Sequence, residues 1–226
     1  MDLERLAIAL RPRNSWEALD LGVRFALQNG RTLYASWLAV CLPVAALAFL
    51  ILGYALDAPA WAIMVMWWLK PAFDRVAVQV LSRAVFGETT SVRETFAALP
   101  RLLWSTGLLR DLSIGRFRLS RSIRLPVDVL EGLSGRSARQ RKALIARRIA
   151  GAAQWQTLAW LHLETIFWLG FWGLVLMLVP RELWPDLRAW SLFDGDKVPL
   201  WFQWLLYTPL WLASLLLEPL YVAGGF

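Results

Sequence analysis

The sequence predicts an all-α, polytopic transmembrane helical bundle, with about four spans in two hairpins plus interfacial amphipathic helices. Three observations carry that prediction. The 226 residues are 58% hydrophobic and include 15 Trp, a side chain that favours the membrane–water interface because it joins an apolar ring to a polar N–H. Several apolar runs reach the roughly 18–20 residues that cross a bilayer. Between them lies a basic region, Arg110 to Arg148, holding 11 of the 24 positive residues.

A single membrane domain, 1–226, divides by pattern into four parts. Residues 1–31 form an N-terminal amphipathic part, 32–86 a first hairpin, 87–157 a basic helical region and 158–226 a second hairpin. Met1 to Asn14 lacks the short apolar core and small-residue cleavage site of a signal peptide, so the first span is expected to direct insertion itself. Residues 14 to 29 read as a helix. Asn14 can cap it with Glu17 three residues on, the spacing of a capping box. Trp16, Leu19, Val23, Ala26 and Leu27 share one stripe, which suits packing on the bundle, lying at the interface or binding a partner.

Span one is expected from about Leu33 to Leu56, kinked at Pro43, which has no N–H for the carbonyl one turn back. The single Cys41 reads as a small buried hydrophobe, and it excludes an internal disulfide framework and a Cys-based zinc site. After the turn Asp57-Ala58-Pro59, span two is expected from about Ala60 to Phe86. Its length of about 40 Å exceeds a hydrocarbon core of about 30 Å. Its second half, with Asp74, Arg75, Gln79 and Arg83, should therefore emerge, leaving Lys70 nearer mid-depth.

Ser91 and Glu94 make another capping box, opening a helix with Phe96, Leu99, Leu102 and Leu103 that Pro100 and Arg101 make unsuitable as a span. In the basic region, Leu119, Ile123, Val127 and Leu130 fall on one arc of a helix bent at Pro126, with Arg118, Arg121 and Arg124 on the opposite arc. That is the pattern of a helix on an anionic membrane surface, with the three arginines as lipid contacts. Ser134 to Ser137 reads as a loop and Arg139 to Arg148 as a separate basic helix. No nucleic-acid module and no phosphate-loop spacing is present, so nucleic acid is not an expected partner.

Span three is expected from about Leu158 to Val179 and span four from between Pro199 and Pro209. The Pro180 to Pro199 loop carries Asp186, Asp194 and Asp196, and Trp184, Trp190, Trp201 and Trp204 around it resemble an aromatic belt. If Pro209 marks the outer end of span four, 17 residues remain to Phe226, about 26 Å of helix. The natural chain is therefore expected to continue past the Gly-Gly-Phe.

Charge sets the expected orientation. Five positive residues precede span one, 13 lie between Gly87 and Thr157, and none lies in the first turn. The second turn has three against four acids. The positive-inside rule then puts both termini and the basic region in the cytoplasm.

The two hairpins echo each other. Lys70-Pro71-Ala72-Phe73 in the first matches Glu218-Pro219-Leu220-Tyr221 in the second, a weak sign of repeat architecture. Unpaired charge in a membrane is expensive. Lys70 is expected to pair with Glu218, or with Asp74 at i,i+4 spacing. Two readings follow: a buried ion pair that fixes helix register, or a gated polar site for an ion, proton or lipid headgroup formed by Lys70, Asp74 and Glu218.

No catalytic constellation is visible. His162 and Glu164, two apart, point about 200° away from each other on a helix. No nucleophile has a base in pattern with it, and one His excludes a His-cluster metal site. No catalytic, cofactor-binding or metal-ligating residue is assigned, no cofactor is expected, and the chain is read as not an enzyme.

The runs Arg11 to Gly22, Trp67 to Arg75, Leu130-Glu131-Gly132-Leu133 and Glu218 to Phe226 resemble uncharacterised proteobacterial inner-membrane proteins. In those, a membrane portion precedes a C-terminal domain of unknown function. The opening Arg-Pro…Asp-Leu-Gly, Arg11 to Gly22, also resembles the membrane domain of bacterial glycerophosphodiester phosphodiesterases. The first resemblance covers nearly the whole chain and the second mainly its N-terminal half. Neither implies catalytic residues at these positions. The expected role is a non-enzymatic membrane anchor or scaffold for a cytoplasmic domain or a protein partner, with the arginines on anionic lipid headgroups. The alternative is a transporter or lipid-binding protein using the Lys70/Glu218 site.

Overall fold

The computed structural model describes residues 11–104, 107–113, 115–133, 135–183 and 199–226. Every regular element among them is helical. The principal helices are α1 (Ser15–Gln28), α2 (Gly30–Ala48), α3 (Pro59–Val85), α4 (Val92–Leu103), α5 (Leu108–Leu112), α6 (Arg121–Leu130), α7 (Gly135–Leu178) and α8 (Leu200–Gly224). Trp184, Trp190 and the loop acids Asp186, Asp194 and Asp196 lie outside the described residues, as does Ser134.

Local chemistry sets the helix ends. Asn14 Oδ1 accepts from the Glu17 amide at 2.7 Å, capping α1, while the Glu17 carboxylate engages Arg11. Both halves of the Ser91–Glu94 capping box form at the start of α4. Gly87, at φ 72, makes the turn after α3, a conformation glycine adopts without a Cβ penalty. The end of α2 widens into a π-helical segment, Phe49–Ala55.

Two elements differ from the sequence reading. The basic helix and span three are one continuous α7, because no proline lies between its ends and its glycines are tolerated singly. α6 begins only at Arg121, so Arg118 precedes the helix. Ile123 and Val127 are buried, while Leu119 and Leu130, expected on the same arc, are exposed.

Three described helices are long and apolar enough to cross a membrane: Gly30–Ala55, Ile149–Leu178 and Leu200–Gly224. The sequence reading counted four. α3 is long enough, with 27 residues, but Lys70, Asp74, Arg75 and Arg83 interrupt its apolar run. Every 18-residue window along it holds at least three charges.

Contacts divide the chain into two compact units. Unit 2 comprises Leu42–Leu69 and Leu161–Leu217. Aromatic packing holds it. A Cβ on Gly53 would lie 2.5 Å from Trp204 Cη2, so the indole fills the space a side chain would need. The Phe49 ring is 5.3 Å from Trp204 and 5.2 Å from Trp211. Trp168 Nε1 donates to the Leu206 carbonyl at 3.2 Å. The outer surface of this unit is apolar, with Leu47, Leu50, Trp67, Phe167, Leu176 and Leu216 among its exposed side chains.

Unit 1 comprises Met1–Cys41, Lys70–Trp160 and Glu218–Phe226. Its core includes Leu33, Val76, Leu81 and Val222. Small residues let its helices touch. A Cβ on Gly22 would fall 2.0 Å from the Ala223 carbonyl oxygen, and one on Gly225 would fall 2.3 Å from Ser122 Cβ. Polar bonds cross the same core. Thr95 Oγ1 lies 3.0 Å from Ser36 Oγ, and Gln156 Nε2 donates to the Tyr221 carbonyl at 2.9 Å.

Candidate functional site

Two charged clusters lie within unit 1. The first joins α3, α6 and α8. Lys70 Nζ is 2.9 Å from Glu218 Oε2. The Arg121 guanidinium contacts the other Glu218 oxygen and lies 3.1 Å from Asp74 Oδ2. Asp74 is fully buried and Glu218 nearly so. The cluster brings together two cationic side chains and two carboxyl groups. Removing such charges from water is costly, and mutual pairing is what offsets that cost. The Tyr221 ring sits 5.4 Å from the Arg121 guanidinium carbon, adding a cation–π contact.

Burial alone would lower the Arg121 pKa, but the charges of Asp74 and Glu218 win, and it is raised. The guanidinium is therefore a fixed positive charge. The sequence reading set Arg121 on a lipid-facing arc. The structure instead turns it inward, because α6 starts at this residue and two carboxylates await it.

The second cluster joins α3, α5, α6 and α7. Arg75, expected to emerge toward water, is fully buried. Its Nη2 lies 3.0 Å from Asp111 Oδ2, and its Nη1 donates to the Leu102 carbonyl at 3.4 Å. Arg110 Nη2 reaches both Asp111 Oδ1, at 3.2 Å, and Asp128 Oδ2, at 3.0 Å. Asp128 also holds the buried Lys142. Burial depresses the Lys142 pKa, against the opposing pull of Asp128.

The sequence reading missed Asp111, Asp128 and Lys142. A signal was present. Only three acids, Asp111, Asp128 and Glu131, stand among the 11 cations of the basic region. All three are ion-paired, Glu131 with Arg141 at 2.9 Å.

A small cleft opens beside these clusters, entirely within unit 1. Arg118 and Arg124, expected as lipid contacts, both line it. His162 is exposed on α7 and Glu164 is half-buried. Comparison with protein-family models, with curated proteins and with solved structures gives no match.

Proposed function

We propose that this chain is a non-enzymatic membrane module that anchors and positions a cytoplasmic domain or a protein partner. The observation that carries the reading is the closed state of the Lys70, Asp74, Arg121 and Glu218 cluster. Lys70, Glu218 and Arg121, which an intramembrane transport site would need, are ion-paired with one another, and Arg121 also lies 3.1 Å from the buried Asp74. Such a set favours a structural joint over a gate.

The apolar outer surface of unit 2 supports its place among lipid tails, since soluble proteins rarely expose contiguous apolar surface on this scale. In this reading α3 as a whole, 27 residues long and so about 40 Å, is the return limb of the first hairpin, giving four crossings. The distribution of arginines supports both ends being cytoplasmic, and the resemblance to proteobacterial inner-membrane proteins supports a bacterial inner membrane.

Native mass spectrometry of the protein released from its own membrane tests the role. The module reading expects a protein partner at fixed stoichiometry, retained equally by wild type and by the Lys70→Met/Glu218→Met variant. A small molecule held by wild type and lost from that variant would instead support transport or a ligand site at Lys70.

A further inference from the structure

The cleft in unit 1 has more positive charge than its own carboxylates neutralise. Five cations line it, Arg110, Arg118, Arg121, Arg124 and Lys142, against two carboxylates, Asp111 and Asp128. Those two acids are already committed: Asp111 to Arg75 and Arg110, Asp128 to Arg110 and Lys142. Arg121 is committed to Asp74 and Glu218. That leaves Arg118 and Arg124. Arg124 Nε donates to Ser120 Oγ at 3.0 Å, and neither arginine has a carboxylate within ion-pair distance among the described residues. Two guanidinium groups thus line one cleft with no described carboxylate in ion-pair contact with either of them. Burial lowers the Arg124 pKa, and the charges of Arg118 and Arg110 lower it further against a weaker opposing pull from Asp128.

We propose that this cleft binds a phosphate group, held by Arg118 and Arg124. Planar guanidinium forks match the paired oxygens of phosphate and bind it bidentately. A monovalent halide would leave most of those donors unused. The phosphate can be the headgroup of an anionic phospholipid or a soluble phosphate, and the chemistry of the cleft is the same for both. The neighbouring chain favours the lipid source: Trp104, Leu109 and Phe117 are 87%, 83% and 69% exposed on the segment that supplies Arg110 and Arg118. Exposed aromatics beside arginines suit the headgroup layer. The site goes beyond the anchoring role and stands whether or not a protein partner is bound.

The test is titration calorimetry on the full chain in neutral detergent. The probes are dihexanoyl phosphatidylglycerol, dihexanoyl phosphatidylcholine and inorganic phosphate. Arg118→Gln/Arg124→Gln removes the two cleft cations that have no carboxylate partner among the described residues and leaves every described ion pair intact. Arg139→Gln/Arg147→Gln removes the same charge from exposed positions of α7 and is the control. Phosphatidylglycerol or inorganic phosphate is expected to bind wild type, to lose affinity at least about 10-fold in the first variant and to stay within about 2-fold in the control, as loss of charge-assisted bonds predicts. Binding of phosphatidylglycerol that inorganic phosphate does not displace identifies the lipid source. Displacement at equal affinity identifies soluble phosphate. No binding of either anion, or equal weakening in both variants, overturns the proposal.

Discussion

Lys70 and Glu218, each the residue before a proline inside a long helix, meet as an ion pair of 2.9 Å. The pair is not isolated, because Arg121 reaches Glu218 from the other side. This third partner changes what a charge exchange should do. Lys70→Glu/Glu218→Lys would set a new lysine beside Arg121 and a new glutamate one helical turn from Asp74. The exchanged protein is expected to unfold at lower temperature than Lys70→Met/Glu218→Met, which leaves Asp74 and Arg121 balanced one to one. Thermal unfolding of both in detergent checks the order, and an exchange variant as stable as wild type would refute it.

Arg75 and Arg83 lie on the same helix and both pair with a carboxylate, but in opposite surroundings. Arg75 has 0% side-chain exposure against Asp111, while Arg83 has 39% against Glu94. Arg75→Met takes away the buried partner of Asp111 and leaves that aspartate on the half-exposed Arg110 alone, at a cost near the lower end of about 3–5 kcal/mol. Arg83→Met breaks a solvent-screened pair, at a cost of at most about 1 kcal/mol. Reversible unfolding in a denaturing detergent series is expected to separate the two variants by that margin.

Gly22 and Gly151 are both helix-interior glycines, and alanine at either gains about 1 kcal/mol of helix propensity. At Gly151 nothing stands within 4 Å of the added methyl, whereas at Gly22 the Ala223 carbonyl oxygen would be 2.0 Å away. Gly151→Ala is therefore expected to raise the melting temperature. Gly22→Ala is expected to lower it, because α1 must leave the end of α8 and overpacking costs about 1–3 kcal/mol. If both variants are stabilised, the close approach of α1 to Ala223 is not real.

Orientation is open to labelling. In a Cys41→Ala background, Leu56→Cys places a thiol at an exposed site by the first turn, and Leu144→Cys places one at an exposed site in the basic part of α7. A membrane-impermeant maleimide added to right-side-out vesicles is expected to label the first directly and the second only after permeabilisation. The reverse pattern would invert the proposed topology.

The helical class was legible because long apolar runs with few charges have one main solution in a bilayer. The caps at Asn14 and Ser91 were legible because they depend on residues three apart. The closeness of Lys70 and Glu218 could be suspected because a charge in an apolar run needs a partner. Arg121 was misplaced for the opposite reason. In a region with 11 cations, periodicity cannot say which arginine turns inward, since that is decided by carboxylates on α3 and α8 far along the chain. Arg75 was misread on the same ground: its partner, Asp111, lies beyond a turn whose course local pattern does not fix. The continuity of α7 was hidden because its basic and apolar halves look like different elements, although the backbone has no reason to stop between them.

The central claim is that the Lys70–Glu218 cluster is a structural joint, and a double-mutant cycle in lipid nanodiscs tests it most directly. Lys70→Met, Glu218→Gln and the double variant are unfolded alongside wild type. A joint predicts that each single change destabilises strongly and that the double variant is more stable than their sum by at least about 1.5 kcal/mol, the scale of coupling between contacting charges. Additive losses, or single variants as stable as wild type, would contradict the account and return these residues to the role of a polar site held open for a ligand.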